Sequence, residues 1–254
     1  MNEESCTFPG DGGRTVEGFF VSPDGPGTKP ALVLIFDIWG LGDHIKSVAR
    51  RFCQEGYVVL VPDLFTGHLK TQMTTENIMA AFRVMGVPAE SRTPEDQAVI
   101  KPLLEVLSSE SKGGFTRDLE GAFNFLAKQT VVDPTRIGSL GFCFGGGMSA
   151  RLATAEPQLK ACVIFYGENP PIDRVVNIEA SVLGLYGGAD ARITDTVPVF
   201  EEAMKDAGKE FEFHIYEGAP HAFFHDGKDT YRPDAASDAW IRVTDFLRRE
   251  LQNA

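Results

Sequence analysis

The chain has 254 residues, and 43% of them are hydrophobic, which is enough to build a large core and excludes a disordered chain. Acidic side chains outnumber basic ones by 36 to 24, so the formal net charge is −12. Because this charge repels phosphate backbones and anionic lipids, we expect no nucleic acid partner and no membrane partner.

Two further features bear on where the chain works. Its purely apolar runs, such as 31–36, do not exceed six residues, whereas a helix needs about 18 to cross a bilayer, and its acidic start does not resemble a signal peptide. The four cysteines lie far apart with no CxxC pair, which is typical of thiols in a reducing compartment rather than of disulfides or zinc ligands. We expect a cytoplasmic protein, either a monomer or a weak homodimer.

The predicted elements alternate between strand and helix. The first 25 residues, with Gly-rich turns and a short apolar run at 18–21, predict an antiparallel hairpin at the edge of a sheet. Apolar runs typical of buried strands follow at 31–36, 57–64, 136–142, 160–167, 181–188 and 212–218. Helical spacing occupies 45–56, a stretch capped by Thr116, then 145–155, 197–207 and the closing segment 236–251. This alternation predicts an α/β fold, with a mostly parallel, doubly wound sheet and helices on both faces.

Residues 65–113 interrupt the alternation. The segment is too long for an ordinary connection and carries two weaker helical patterns, at 75–85 and 94–108, the second of which contains Pro102. We interpret it as a helical insertion over the ligand-bearing edge of the sheet. Because the chain has no repeats, no low-complexity tract and no Pro/Ser-rich linker, it predicts a single domain over residues 1–254.

Cys143 is the strongest candidate for a nucleophile. It lies in the sequence Gly-Phe-Cys-Phe-Gly-Gly at 141–146, directly after a buried-strand pattern and directly before a helical one. So tight a turn requires small residues on either side of the nucleophile, and the N-terminus of the following helix favours the thiolate over the thiol. Cys53 and Cys162 lack this setting, and we expect them to be structural.

Asp190 and His221 supply the other two groups of a catalytic triad. Each follows a predicted strand in a turn-rich segment, and the carboxyl ends of parallel strands meet at one edge of a sheet. The chain order is nucleophile, acid, histidine, an order known for hydrolases in which the histidine is the general base and the acid orients it. His44 and His68 have no acid or nucleophile at comparable positions, so we expect them to be structural or solvent-facing.

Two backbone amides are candidates for an oxyanion hole. The amide of Phe144 directly follows the nucleophile, and that of Ile38 lies in the loop after the strand at 31–36. Gly40 and Gly42 would allow this loop to turn closely over the sulfur.

Taken together, these motifs resemble the dienelactone hydrolase family across essentially the whole chain. They are the cysteine turn GFCFGG, the GGAD turn that ends at Asp190, the PHAFF segment at 220–224 and the closing helix with Tyr231 and Trp240. The resemblance implies an α/β-hydrolase fold and a triad of Cys143, Asp190 and His221. It also implies no metal or organic cofactor, and hydrolysis of small-molecule esters or lactones such as carboxymethylenebutenolides.

Five residues are candidates for binding the substrate or activating the thiol. Asp37, beside Trp39, stands where the family has a glutamate that contacts the resting thiol, and His225 stands where it has an arginine for the substrate carboxylate. A partly charged imidazole does not make the two-pronged contact of a guanidinium. Arg83 and Arg92, in the insertion, are candidates for the family's second carboxylate-binding arginine. The two differences predict a substrate that is less anionic or larger than dienelactone.

Two other interpretations stay open at this point. Glutamine amidotransferases also place a cysteine in a glycine-rich turn, but they pair it with a His-x-Glu sequence, whereas Phe223 stands two residues after His221. The second alternative is a non-catalytic protein of the same fold that binds a small molecule in its pocket. The presence of all three triad residues favours a carboxylic ester or lactone hydrolase.

Overall fold

The computed structural model describes residues 1–253 and all of their side chains except that of His68. The expectation for the His68 side chain, and the last residue of the predicted domain, Ala254, therefore lie outside the described residues. No helix within this range combines the length and the apolar character needed to cross a membrane.

Eight strands within residues 1–253 form one sheet. They are β1 (Asn2–Pro9), β2 (Thr15–Ser22), β3 (Lys29–Ile35), β4 (Val58–Asp63), β5 (Val132–Phe142), β6 (Ala161–Phe165), β7 (Ser181–Gly187) and β8 (Phe211–Tyr216). Their order across the sheet is β1-β2-β4-β3-β5-β6-β7-β8. The pairs β1–β2 and β2–β4 are antiparallel, and all the other neighbouring pairs are parallel. The central strands are almost entirely buried, because helices pack around the sheet, which explains their continuous apolar runs.

The helices of the described range follow the strands in the expected alternation. They are α1 (Asp43–Gln54), α2 (His68–Gln72), α3 (Thr75–Met85), α4 (Pro94–Leu107), α5 (Ser109–Ala127), α6 (Phe144–Ala155), α7 (Ala191–Thr194), α8 (Val197–Asp206) and α9 (Pro233–Leu247). Helices α2 to α4 form the insertion, and α4 continues past Pro102 because its apolar side, which includes Leu103 and Val106, is buried.

The start of α5 differs from the prediction. Thr116 does not cap this helix but lies inside it, where its hydroxyl donates a hydrogen bond to the carbonyl oxygen of Lys112 at 2.7 Å. The cap is Ser108, whose side chain accepts a hydrogen bond from the amide of Ser111 at 3.1 Å. The two glycines at 113 and 114 do not end the helix, because the buried apolar side that follows them stabilises it.

The hairpin β1–β2 is fixed to α5 through a buried carboxylate. Asp118 of α5 accepts hydrogen bonds from the amide of Asp11 at 2.9 Å and from Nε of Arg14 at 3.0 Å, and the side chain of Asp118 is only 1% exposed. The edge hairpin is therefore bonded to the helical layer as well as to the sheet.

The chain order across the sheet reverses between β3 and β5. From β3 the chain continues to β4 on one side, and from β5 it continues through β6 and β7 to β8 on the other. Open α/β sheets bind ligands in the crevice at the carboxyl ends of the strands beside such a reversal. The predicted α/β-hydrolase fold, with its edge hairpin, is confirmed. The single continuous sheet supports our proposal that the chain forms one domain.

Candidate active site

Cys143 lies at the turn between β5 and α6. Its φ of 54° belongs to the region that side chains rarely adopt, and its amide donates to the carbonyl oxygen of Phe165 on β6 at 2.9 Å. A Cβ on Gly141 would lie 2.0 Å from the carbonyl oxygen of Gly145, and a Cβ on Gly145 would lie 2.3 Å from that of Phe36. Glycine is therefore required on both sides of the cysteine, and the strained turn projects the sulfur over the sheet edge.

Asp190 and His221 come from two neighbouring loops, after β7 and β8, that are hydrogen-bonded to each other. The amide of Gly188 donates to the carbonyl oxygen of Tyr216, the last residue of β8, at 2.8 Å, and that of Ala189 donates to the carbonyl oxygen of Ala219 in the following loop at 3.0 Å. Between the two loops, Nδ1 of His221 is hydrogen-bonded to Oδ2 of Asp190. The Asp190 side chain is 8% exposed and that of His221 is 30% exposed, so this bond is largely shielded from water.

His221 also interacts with the side chain of Cys143 and thus lies between the sulfur and the Asp190 carboxylate. Burial disfavours the imidazolium form, but the interactions with Asp190 and Cys143 outweigh it and raise the pKa of His221 to about 9. The imidazole is therefore protonated at neutral pH, which is the form that pairs with a thiolate. The structure brings together the three side chains that the sequence analysis singled out.

The other three thiols lie in different surroundings. Burial raises the pKa values of Cys6, Cys53 and Cys162 to about 11. Because the thiolate is the nucleophile, these cysteines are inert at neutral pH.

The two candidate oxyanion-hole amides are both available. The amide of Phe144 is the first of α6 and has no acceptor one turn earlier in the helix. The amide of Ile38 has no acceptor among residues 1–253. The next two amides of this loop, those of Trp39 and Gly40, both donate to Asp37 instead. Both residues line the same cavity as Cys143.

This cavity has a volume of about 520 Å³, and most of its lining is apolar. Cys143 and His221 lie in its wall, together with Trp39 from the loop after β3 and Phe82 and Met85 from the insertion. The rings of Trp39 and Phe82 are 5.9 Å apart. The insertion therefore covers the site edge of the sheet, and its apolar side chains favour a ligand with a hydrocarbon part.

The carboxylate of Asp37 also lines the cavity but is bonded to other groups. Oδ1 accepts a hydrogen bond from the amide of Trp39 at 2.9 Å, and Oδ2 lies 3.6 Å from Nζ of Lys228. The same ammonium lies over the Trp39 ring, 4.5 Å from its centroid. Lys228 is thus a cation at the cavity wall that no sequence motif indicated.

His225 lies outside the lining of this cavity. Its ring is stacked on that of His44, with centroids 3.7 Å apart and planes 9° apart, and Nδ1 of His44 is 3.1 Å from Oδ1 of Asp226. Burial lowers the pKa values of both histidines. His44, His225 and Asp226 each have one possible metal-ligand atom, and these three atoms lie within 4.8 Å of one another. However, imidazole lone pairs lie in the ring plane, so two stacked rings do not converge on one metal ion unless a ring turns.

Arg83 and Arg92 likewise lie outside the cavity lining. Arg83 is exposed on α3, and Arg92 donates to the carbonyl oxygens of Met85 and Val87 at 3.0 Å, at the end of the same helix. The cationic side chains that line the cavity come from other elements: Lys112, Arg151, Arg192 and Lys228.

Tyr166 is the wall residue that the sequence analysis most clearly missed. It follows β6 with a φ of 38°, is 2% exposed, and its ring centroid lies 5.1 Å from that of His221 in an edge-to-face contact. Burial, together with the charges of Asp37 and Cys143, raises the pKa of Tyr166 well above its usual value. Its position directly after a buried strand, as for Cys143, was the feature that could have revealed it.

Comparisons with known proteins identify the family of the chain. The family model for the Dienelactone hydrolase family matches residues 16–251. A Saccharolobus solfataricus protein named "Putative carboxymethylenebutenolidase" is 34% identical over 262 aligned positions, which cover 97% of this chain and 98% of that protein. A protein of the same name from Methylorubrum extorquens is 30% identical, with 92% and 77% covered.

Solved structures of dienelactone hydrolases have a similar fold. A "Putative Dienelactone Hydrolase" from Klebsiella pneumoniae is 28% identical and superposes with a TM-score of 0.76 over 97% of this chain and 99% of that one. A dienelactone hydrolase from Anabaena variabilis is 18% identical, with a TM-score of 0.67 and 98% of each chain covered, which supports the fold alone. With the family match over nearly its whole length, the chain belongs to the dienelactone hydrolase family and is a hydrolase of that family.

Proposed function

We propose that the protein hydrolyses carboxylic esters or lactones, with Cys143 as nucleophile and His221 and Asp190 as its partners. The observation that carries the proposal is the position of His221, which is hydrogen-bonded to Asp190 and interacts with Cys143 in the wall of an apolar cavity. We include in it a small-molecule substrate, a cytoplasmic location and a monomer or weak homodimer.

In the first half of the reaction the Cys143 thiolate attacks the acyl carbon, and the carbonyl electron pair moves to oxygen. The amides of Phe144 and Ile38 donate hydrogen bonds to this oxyanion. As the tetrahedral intermediate collapses, the bond between carbon and the leaving oxygen breaks. The His221 imidazolium gives its proton to that oxygen, and a thioester on Cys143 remains.

In the second half a water molecule attacks the thioester carbon while neutral His221 accepts its proton. The carbon–sulfur bond then breaks, the acid is released, and the thiolate paired with imidazolium is restored. Asp190 stabilises the imidazolium and fixes its orientation throughout. The complete cycle leaves the enzyme's proton count unchanged, because His221 gives one proton in the first half and takes one in the second.

The test is hydrolysis of 4-nitrophenyl butyrate by wild type and by Cys143→Ala. We expect the substitution to lower kcat by about a thousandfold or more, because it removes the atom that forms the covalent bond. Cys6→Ala makes the same chemical change at a thiol outside the cavity and serves as the control, with activity retained. Mass spectrometry of wild type quenched during turnover should find one butyryl group, on Cys143.

Two outcomes would overturn this mechanism. Retained turnover in a folded Cys143→Ala protein would remove the cysteine from the reaction. If wild type binds esters but hydrolyses none of a series of aryl esters and lactones, the protein is instead a small-molecule binding protein of the same fold.

A further inference from the structure

The cavity beside Cys143 contains more cationic than anionic side chains, in contrast to the chain as a whole. Besides the triad, six side chains of the charged residue types line it: four cations, Lys112, Arg151, Arg192 and Lys228, and two carboxylates, Asp37 and Glu168. The chain carries a formal charge of −12, so a cavity with two excess positive charges is not explained by composition. Such a cavity attracts anionic ligands.

Three of these cations already have a carboxylate partner. Lys112 and Arg192 lie 2.7 and 3.8 Å from the oxygens of Glu168. Lys228 lies 3.6 Å from Asp37. Because Glu168 serves two of them, one excess charge stays with that group, and the other belongs to the fourth cation.

Arg151 is that fourth cation. Within residues 1–253 its guanidinium has no hydrogen bond and no ion pair within 4.0 Å; the charge of Glu168 acts on it only from farther away, although the side chain is partly buried and lines the cavity. A guanidinium presents five donors in a fixed fork, and leaving them without an acceptor in a partly desolvated site costs free energy. A carboxylate matches this fork with two parallel hydrogen bonds.

The position of Arg151 relative to the sulfur defines where the carboxylate would lie. Cys143, Gly147 and Arg151 are spaced by four residues along α6, so they lie on one side of the helix, and Gly147 places no side chain between the other two. Eight residues correspond to about 12 Å along a helix axis, and a long arginine side chain leans back toward the N-terminus. A group bound by Arg151 therefore lies on the order of 10 Å from the sulfur.

We propose that Arg151 determines specificity by binding a carboxylate on the substrate, remote from the bond that is cleaved. This inference rests on the proposed function of the site. It assigns a substrate class, an ester or lactone joined through a hydrocarbon segment to a carboxylate, and the apolar walls at Phe82 and Met85 would contact that segment. It reverses the expectation, drawn from His225, that the substrate is less anionic than dienelactone.

The first experiment compares kcat/KM for 4-nitrophenyl hemiesters of adipate, suberate and sebacate with the corresponding monoamides, which have the same length and no charge. A second series, 4-acetoxyphenylalkanoic acids and their amides, places the acid on the alcohol side. In one of the two series we expect wild type to prefer the acid by roughly 10- to 100-fold, as charge-assisted hydrogen bonds provide. The preferred chain length should match the separation along α6.

Four variants distinguish the effect of Arg151 from that of the overall positive charge of the cavity. Arg151→Met should abolish the preference for the acid, and Arg151→Lys should keep part of it, because an ammonium retains charge but not the fork. Arg192→Met removes a cavity cation that Glu168 partly neutralises, and it should lower the preference much less than Arg151→Met does. Arg174→Met, on an exposed arginine outside the cavity, controls for the substitution itself.

A binding experiment keeps this inference distinct from the proposed function. Isothermal titration of Cys143→Ala with octanoate and with octanamide, which has the same length and no carboxylate, needs no turnover, and Arg151→Met in that background should weaken the binding of octanoate alone. If no acid preference in either series and no octanoate binding depend on Arg151, the inference is wrong while the esterase proposal stands. Hydrolysis retained by Cys143→Ala would instead contradict the proposed function and leave the titration result interpretable.

Discussion

Nζ of Lys228 lies 3.6 Å from Oδ2 of Asp37, so the carboxylate at this position is held by an ammonium and by the Trp39 amide. In the family resemblance a glutamate here contacts the resting thiol. We predict that Asp37→Asn, which keeps an acceptor for the Trp39 amide, leaves the rate of Cys143 alkylation by iodoacetamide at pH 7 within about threefold of wild type. A tenfold or larger change would give Asp37 the activating role after all.

The second prediction concerns the titration of His221. Because its interactions with Asp190 and Cys143 outweigh burial, its imidazole NMR resonances should titrate with a pKa of about 9. Asp190→Asn should lower this value toward the usual 6.5, since a neutral amide stabilises the imidazolium less. An unchanged titration in the variant would show that Asp190 does not contact the ring in solution.

The same shift predicts how stability depends on pH. A folded-state pKa raised from 6.5 to about 9 stabilises the folded state fully below pH 6.5, and this contribution is lost as the pH rises through about 9. The difference in thermal midpoint between wild type and Asp190→Asn should therefore be largest near pH 6 and shrink above pH 9. A difference that grows with pH would contradict the assignment of charges.

A further prediction uses two glycines of α6, Gly145 and Gly147. Gly145→Ala would place a Cβ 2.3 Å from the carbonyl oxygen of Phe36, and we expect it to lower the free energy of unfolding by about 3 kcal/mol or more. Gly147→Ala is the matched control, because its Cβ would meet no atom closer than 3.4 Å and alanine favours helix by up to about 1 kcal/mol. Urea unfolding of both variants measures this difference, and equal stabilities would contradict the close packing of the turn.

The fourth prediction concerns the buried carboxylate beneath the hairpin. Arg14→Met leaves Asp118, 1% exposed, without its cationic partner, and we expect a loss of about 3 kcal/mol in the free energy of unfolding. Arg117→Met is the control, because Arg117 pairs with Asp11 at the exposed surface and its loss should hardly move the urea midpoint. Equal effects of the two variants would mean that the burial of Asp118 has no energetic weight.

The strands and the main residues of the site were predictable from the sequence, and the remaining features depended on three-dimensional contacts. Buried strands leave continuous apolar runs, and Cys143, Asp190 and His221 each follow such a run in a turn-rich segment. The predicted start of α5, at Thr116, was wrong. The actual cap, Ser108, precedes two glycines that would weaken an isolated helix, so the sequence pattern did not extend back to it.

The polar wall of the cavity left no comparable pattern in the sequence. Arg151 and Lys228 are spaced like ordinary surface residues, and only the packing of the helices brings them to the cavity beside Cys143. The positions of His225 and Arg92 depended on local contacts that one sequence does not encode: a stacked His44 ring in one case and the end of α3 in the other.

Backbone hydrogen bonds join the loop after β7 to the end of β8 and the loop after it, and they hold Asp190 and His221 in a fixed relative position. Cys143, in contrast, follows a different strand, β5. A remote substitution that shifts β7 or β8 will carry carboxylate and imidazole along together. Damage of this kind will slow formation of the thioester and remove the Cys143 contribution to the raised pKa of His221, whereas the Asp190 contribution will stay.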